Sequence, residues 1–89
     1  MKKYLLKFSK QSSKSLNKID IKVVKIIYQK LEFLSLGLDS KLDIKEMNPK
    51  WRGLFRLRVG KYRIIYKKEL NNVIILILKI WSRWDIYKS

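Results

Sequence analysis

Along the chain the apolar positions change period, and the changes divide it into elements. Tyr4, Leu6 and Phe8 alternate with Lys3, Leu5 and Lys7, which predicts a strand over residues 2–8. Ser9–Lys18 is polar apart from Leu16 and predicts only a short helix. Asp20 is a candidate N-cap, and beyond it Val24, Ile27, Leu31 and Leu34 recur at helical spacing. They form one face of an amphipathic helix ending near Leu36, with Gly37 placed to adopt the left-handed conformation that closes a helix. This stripe reads as core.

Residues 38–50 mix charge with Asn48 and Pro49 and read as a loop. The period then becomes two. Phe55, Leu57 and Val59 alternate with Leu54, Arg56 and Arg58, and Gly60-Lys61 can turn the chain. Tyr62, Ile64 and Tyr66 alternate with Arg63, Ile65 and Lys67. Asn71-Asn72 marks a second turn, since Asn tolerates positive φ. Val73–Ile80 is nearly all apolar, the pattern of a strand covered on both faces. The order β, α, α, β, β, β predicts an α+β fold. Its two helices pack on one face of an antiparallel sheet that starts with the N-terminal strand and ends in a three-stranded meander. With no internal repeat or composition break, residues 1–89 read as a single domain.

Charge changes this picture most. The net charge is +15, from 22 basic and 7 acidic residues, which points to a polyanionic partner or an acidic protein. Every basic residue up to Lys50 is lysine, whereas Arg52, Arg56, Arg58, Arg63 and Arg83 follow it. Lysine supplies a point charge; arginine supplies a rigid fork of donors matched to phosphate. Period-two alternation puts Arg56 and Arg58 opposite Phe55 and Leu57, and Arg63 opposite Tyr62 and Ile64. Lys79, Trp81 and Arg83 share a side of the last strand. If the Phe55 and Leu57 side faces the helices, the other side carries a guanidinium patch whose self-repulsion costs stability.

The chain has no cysteine and no histidine, which removes disulfides, cysteine–zinc sites and the usual general base near neutral pH. The longest apolar run, Val73–Leu78, is far shorter than the ~20 residues a bilayer-spanning helix needs. No signal peptide is visible, so the expectation is a cytoplasmic protein without a membrane partner.

The stretch WRGLFRLRVGKYRIIY (residues 51–66), the following apolar strand and the ending IWSRWDIYKS resemble the RelE/ParE superfamily of toxins. The opening FSKQSSKSLNKID is similar to that family's helical half, so the resemblance covers essentially the whole chain. It implies the microbial RNase-like RelE fold and a type II toxin held inactive by a cognate acidic, RelB-like antitoxin. A toxin–antitoxin heterotetramer is the implied assembly. On the RelE branch the toxin enters the ribosome and cuts mRNA; on the ParE branch it inhibits DNA gyrase.

Position by position, the resemblance implies catalytic roles for Arg56, Arg63, Arg83 and Tyr87. Arg63 falls on the arginine that contacts the scissile phosphate. Arg83 falls on the one that stabilises transition-state and leaving-group charge, and Tyr87 on the aromatic that stacks on an mRNA base. Arg58 matches a second arginine of the motif. With Lys50, Arg52, Lys61, Lys79 and Trp84 it completes the candidate RNA-binding set. The family's usual Gly-His is replaced by Trp81-Ser82, and Asn48-Pro49 stands where Lys-Gly is usual.

Cleavage by attack of a ribose 2′-OH requires a base, stabilisation of the phosphorane and protonation of the 5′ oxygen. Arg63 and Arg83 are the expected stabilisers. Lys61 or Lys79 is the candidate base, with Tyr87 and Asp85 as weaker alternatives. Nothing in this scheme calls for a metal or cofactor, and the paired acids that hold Mg²⁺ are missing from the sequence. Three functions remain open: an mRNA endonuclease, a gyrase inhibitor, and an inactive basic RNA-binding module.

Overall fold

A computed structural model describes residues 3–47 and 53–82. The elements are β1 (Leu5–Phe8), α1 (Lys10–Asn17), α2 (Ile21–Ser35), a short 3-10 turn (Asp39–Lys41), β2 (Asp43–Glu46), β3 (Leu54–Val59), β4 (Tyr62–Glu69) and β5 (Ile74–Ser82). The five strands form one sheet in the order β1-β5-β4-β3-β2. Strands β2 to β5 are antiparallel neighbours, but β1 pairs parallel with β5, so the sheet is mixed and not antiparallel throughout as expected; the long connection through both helices permits the parallel pairing. This is the α+β layering expected, with both helices on one face.

The helices form where the local chemistry allows. Ser9 caps α1 by accepting the Ser12 amide at 3.1 Å, and Asp20 caps α2 by accepting the Lys22 amide at 3.0 Å. At the other end of α2, Gly37 takes φ +77°; its N–H reaches Leu34 O, and the Leu38 N–H reaches Phe33 O. These are the two closing bonds of a Schellman motif. The predicted stripe Val24, Ile27, Leu31 and Leu34 is buried, and it packs on Leu57, Val59, Ile64, Tyr66, Ile75, Ile77 and Ile80 of the sheet. Leu6 and Phe8 of β1, with Tyr4 just before it, close the same core.

Three further expectations need correction. Residues 38–50 are not simply a loop. Among the described ones, Asp43–Glu46 pairs with β3 as an edge strand, with Asp43 opposite Arg58 and Lys45 opposite Arg56. Charged residues are what protect a sheet edge, so their presence masked the strand. Next, β5 is covered by helices on one face only: Ile75, Ile77 and Ile80 are buried, whereas Leu76 and Leu78 keep partial exposure. Finally, the left-handed residue of the β4–β5 turn is Val73, at φ +54°, and neither asparagine.

A bulge in β5 explains how residues of unequal parity share its buried face. Ile65 pairs with Lys79 but Tyr66 with Ile77, leaving Leu78 as the extra residue. Helix α1 docks on this irregularity. Ser9 Oγ donates to Leu78 O at 2.6 Å, the Ser9 amide to Ile77 O at 2.9 Å, and the fully buried Ser12 Oγ to Ile77 O at 3.2 Å. The carbonyls at the bulge are thereby satisfied.

Candidate nucleic-acid interface

The bulge sets which residues of β5 join the open face of the sheet, opposite the helices. There, cross-strand pairing builds two adjacent rows. One runs Asp43, Arg58, Arg63, Trp81; the other runs Lys45, Arg56, Ile65, Lys79. Without the extra residue at Leu78, Lys79 and Trp81 would point into the helix layer. The expected side for the arginines is therefore the observed one.

Within this face Arg58 and Arg63 are direct cross-strand partners at the mouth of the β3–β4 hairpin. Gly60 takes φ +59° in the two-residue turn between them, and Arg58 Nε reaches back to Gly60 O at 3.5 Å. Arg58, Gly60, Lys61 and Arg63 surround a depression of about 250 Å³. Like charges placed opposite each other in a sheet are destabilising. Among the described residues Arg63 enters no ion pair, so internal acids do not offset the repulsion there. Arg56 differs: its guanidinium lies 3.9 Å from Asp43, and its Nε is buried without a hydrogen-bond partner among the described residues. Arg56 is thus held against β2, whereas Arg58 is exposed and Arg63 is half-buried without an acidic partner among the described residues.

The two candidate bases lie against aromatic rings. Lys61 Nζ is 5.6 Å from the Tyr62 ring centroid and Lys79 Nζ is 5.0 Å from that of Trp81. Beside the arginines lies an apolar hollow of about 370 Å³, lined by Met47, Leu54, Ile65, Leu78, Lys79 and Trp81. On the helix side, Tyr66 stacks on Phe55 with its hydroxyl buried and, among the described residues, without a hydrogen-bond partner. Burial first, and the Asp39 carboxylate second, push its phenol above the ordinary value.

Of the sequence-predicted residues, the structure brings Arg56, Arg58, Arg63 and Lys79 to one face, with Lys61 in the turn beside the Arg58–Arg63 depression. Lys50, Arg52, Arg83, Trp84 and Tyr87 lie outside the described residues, as does Asp85. Sequence reasoning missed Asp43, whose signal was the weak alternation of Leu42 and Ile44 around it, and it missed the apolar hollow. Among the described residues no group of three or more His, Cys, Asp or Glu is positioned to hold a metal ion. No helix among them is long and apolar enough to cross a membrane.

The family model described as the ParE toxin of the type II toxin–antitoxin system parDE matches residues 6–87. No curated protein matches the sequence. Among solved structures, a chain of the RelB–RelE antitoxin–toxin complex of Methanococcus jannaschii is 27% identical with TM-score 0.78, over 92% of this chain and 95% of that one. A chain of the RelE–RelB complex of Pyrococcus horikoshii OT3 is also 27% identical with TM-score 0.78, over 93% and 97%. The isolated RelE toxin of E. coli shares the fold at 19% identity and TM-score 0.69, over 96% of this chain and 92% of that one.

Proposed function

The chain belongs to the ParE toxin family of type II toxin–antitoxin systems, within the RelE/ParE superfamily, and we propose that it is a ribosome-dependent mRNA endonuclease. The observation that carries this reading is the Arg58–Arg63 pair around one open depression, with Arg63 free of acidic partners among the described residues. A phosphate seated there would relieve the repulsion between the two guanidinium groups. It would also receive bidentate hydrogen bonds that strengthen as charge develops on the phosphorane.

In the proposed reaction the 2′ oxygen forms a bond to phosphorus and the bond to the 5′ oxygen breaks. The products are a cyclic phosphate and a free 5′ hydroxyl. One proton leaves the 2′-OH for a base, and one is delivered to the 5′ oxygen. Arg63 stabilises the phosphorane, Arg58 and Arg56 hold flanking charge, and Lys61 or Lys79 is the base in this scheme. Arg83 and Tyr87 enter it from their sequence positions, as leaving-group stabiliser and base-stacking ring. With no histidine, the free protein is expected to be a poor nuclease, the ribosome orienting the 2′-OH.

The same reading gives the toxin an acidic, RelB-like antitoxin that covers the basic face in the resting complex. Its support is the +15 net charge and the likeness to chains solved in RelB–RelE complexes. One observation favours a second reading, inhibition of DNA gyrase: the matching family model is that of ParE toxins. Mapping cleavage on translated mRNA beside a gyrase supercoiling assay separates the two. Cuts in ribosome-bound mRNA with unaffected supercoiling support the nuclease; blocked supercoiling without cuts overturns it.

A further inference from the structure

The arginine face does not stop at the edge of the sheet. Beyond Trp81, a cleft of about 450 Å³ opens between α1 and the adjoining ends of β4 and β5. Gln11, Ser15, Lys18 and Ser82 share its walls with the apolar and aromatic Ile19, Ile80, Tyr62 and Trp81. Trp81 also pairs with Arg63, so the cleft begins one side chain from the proposed phosphate site.

Along the α1 wall runs a line of lysines, Lys10, Lys14 and Lys18, at four-residue steps over about 12 Å of helix. All three are exposed, and among the described residues none is in an ion pair. Like charges at this spacing disfavour a helix, and Lys10 sits at its positive N-terminal end. The first turn of α1 holds no acid to compensate.

The rest of the exposed surface of α1 is Gln11, Ser13 and Asn17. Its apolar residue, Leu16, is turned into the core. A protein partner needs a desolvated apolar anchor at the centre of its interface, which the exposed face of α1 itself lacks. A surface made only of ammonium, amide and hydroxyl groups is suited to a phosphodiester backbone, contacted without reading sequence.

We propose that single-stranded RNA leaving the Arg58–Arg63 site passes over Trp81, through this cleft, and onto the α1 lysines. The strand is then held at both the sheet and the helix layer. Trp81 offers its ring on the open face beside Lys79, Tyr62 offers aromatic surface for an unstacked base in the cleft, and the lysines take the phosphates beyond it. The inference rests on reading the open face as an RNA site, but it concerns binding and not cleavage.

The test uses the full chain and fluorescein-labelled 2′-O-methyl oligouridylates, which have no 2′-OH to attack, of about 4 and about 12 nucleotides. Anisotropy titrations at several salt concentrations give affinity and its salt slope. The longer probe should bind more tightly, with a log–log slope steeper by about 2, the value for three lysine–phosphate contacts on a single strand. The triple variant Lys10→Gln, Lys14→Gln, Lys18→Gln should lose that increment yet bind the short probe as the parent does, with an unchanged melting curve. Replacing the three lysines by arginine should preserve it. A glutamine variant with parental affinity and slope for the longer probe overturns the proposal. So does an equal loss on both probes, which would mean a general charge effect. Length-dependent binding that persists in a protein unable to cut mRNA supports the track and removes only the nuclease reading.

Discussion

Replacing Ser9 by alanine should cost far more than an ordinary polar-to-alanine change near a strand end, because one hydroxyl serves two backbone groups. It accepts the Ser12 amide at 3.1 Å as the N-cap of α1 and donates to Leu78 O at 2.6 Å across the bulge. Losing an N-cap costs about 1 kcal/mol. Leaving a part-buried carbonyl without its partner costs about 1 kcal/mol more. The expected total is about 2 kcal/mol, a fall of about 8–16 °C in melting temperature for a domain of this size. Ser12→Ala should cost only about 1 kcal/mol, because Ile77 O keeps the Ser9 amide at 2.9 Å when the Ser12 hydroxyl goes. Ser9→Thr keeps both bonds and should recover most of the loss. Urea denaturation followed by circular dichroism gives the energies, and the cross-strand nuclear Overhauser contact between Arg63 and Trp81 reports whether β5 has slipped. A Ser9→Ala protein within about 0.5 kcal/mol of the parent, or a larger cost at Ser12, would refute the claim that the serines anchor the bulge.

Three other outcomes can be checked on the same material. Val73→Asn should raise stability by about 0.5–1 kcal/mol in a thermal melt, since a β-branched residue is strained at φ +54° and asparagine tolerates that region. Tyr66 keeps its proton in the fold at pH values where the unfolded chain, with its phenol near 10, releases it, so stability should fall as pH rises above about 10. Tyr66→Phe should flatten that alkaline slope in denaturation measured from pH 8 to 11, and an identical slope in both proteins would contradict the burial argument. Association with an acidic antitoxin should slow markedly as salt rises in stopped-flow measurements, because the +15 net charge steers the encounter.

Legibility in the sequence followed the strength of each local pattern. Helix α2 was readable because its apolar period, its Asp20 cap and its Gly37 terminus agree. The β3–β4 hairpin was readable for the same reason, its alternating runs meeting at Gly60-Lys61. Strand β2 was not, because an edge strand protected by Asp43, Lys45 and Glu46 has the composition of a loop. The bulge at Leu78 left no local mark, since an unbroken apolar run hides a one-residue shift of parity. The open face of β5 is apolar because it forms the hollow with Ile65 and Leu54, not because a second helix layer covers it. At the candidate site, the change from lysine to arginine pointed to strands β3 and β4, which the structure pairs. What it could not show was pairing: Arg58 opposite Arg63, and Asp43 drawn against Arg56 and away from them.

The central claim is that Arg63 stabilises charge on a phosphate being cut, and one set of measurements on Arg63→Ala and Arg63→Lys tests it directly. Single-turnover cleavage of mRNA on the ribosome is measured alongside ribosome affinity and melting temperature. The account predicts a rate lower by roughly 10²–10³ for Arg63→Ala, the loss expected when one preorganised donor is removed. Ribosome affinity should change little, because many basic contacts remain. The melting temperature should hold or rise, because the cross-strand repulsion with Arg58 is relieved. Arg63→Lys should not restore the rate, since an ammonium lacks the planar fork. A well-folded Arg63→Ala protein that cuts at the full parental rate would contradict the account.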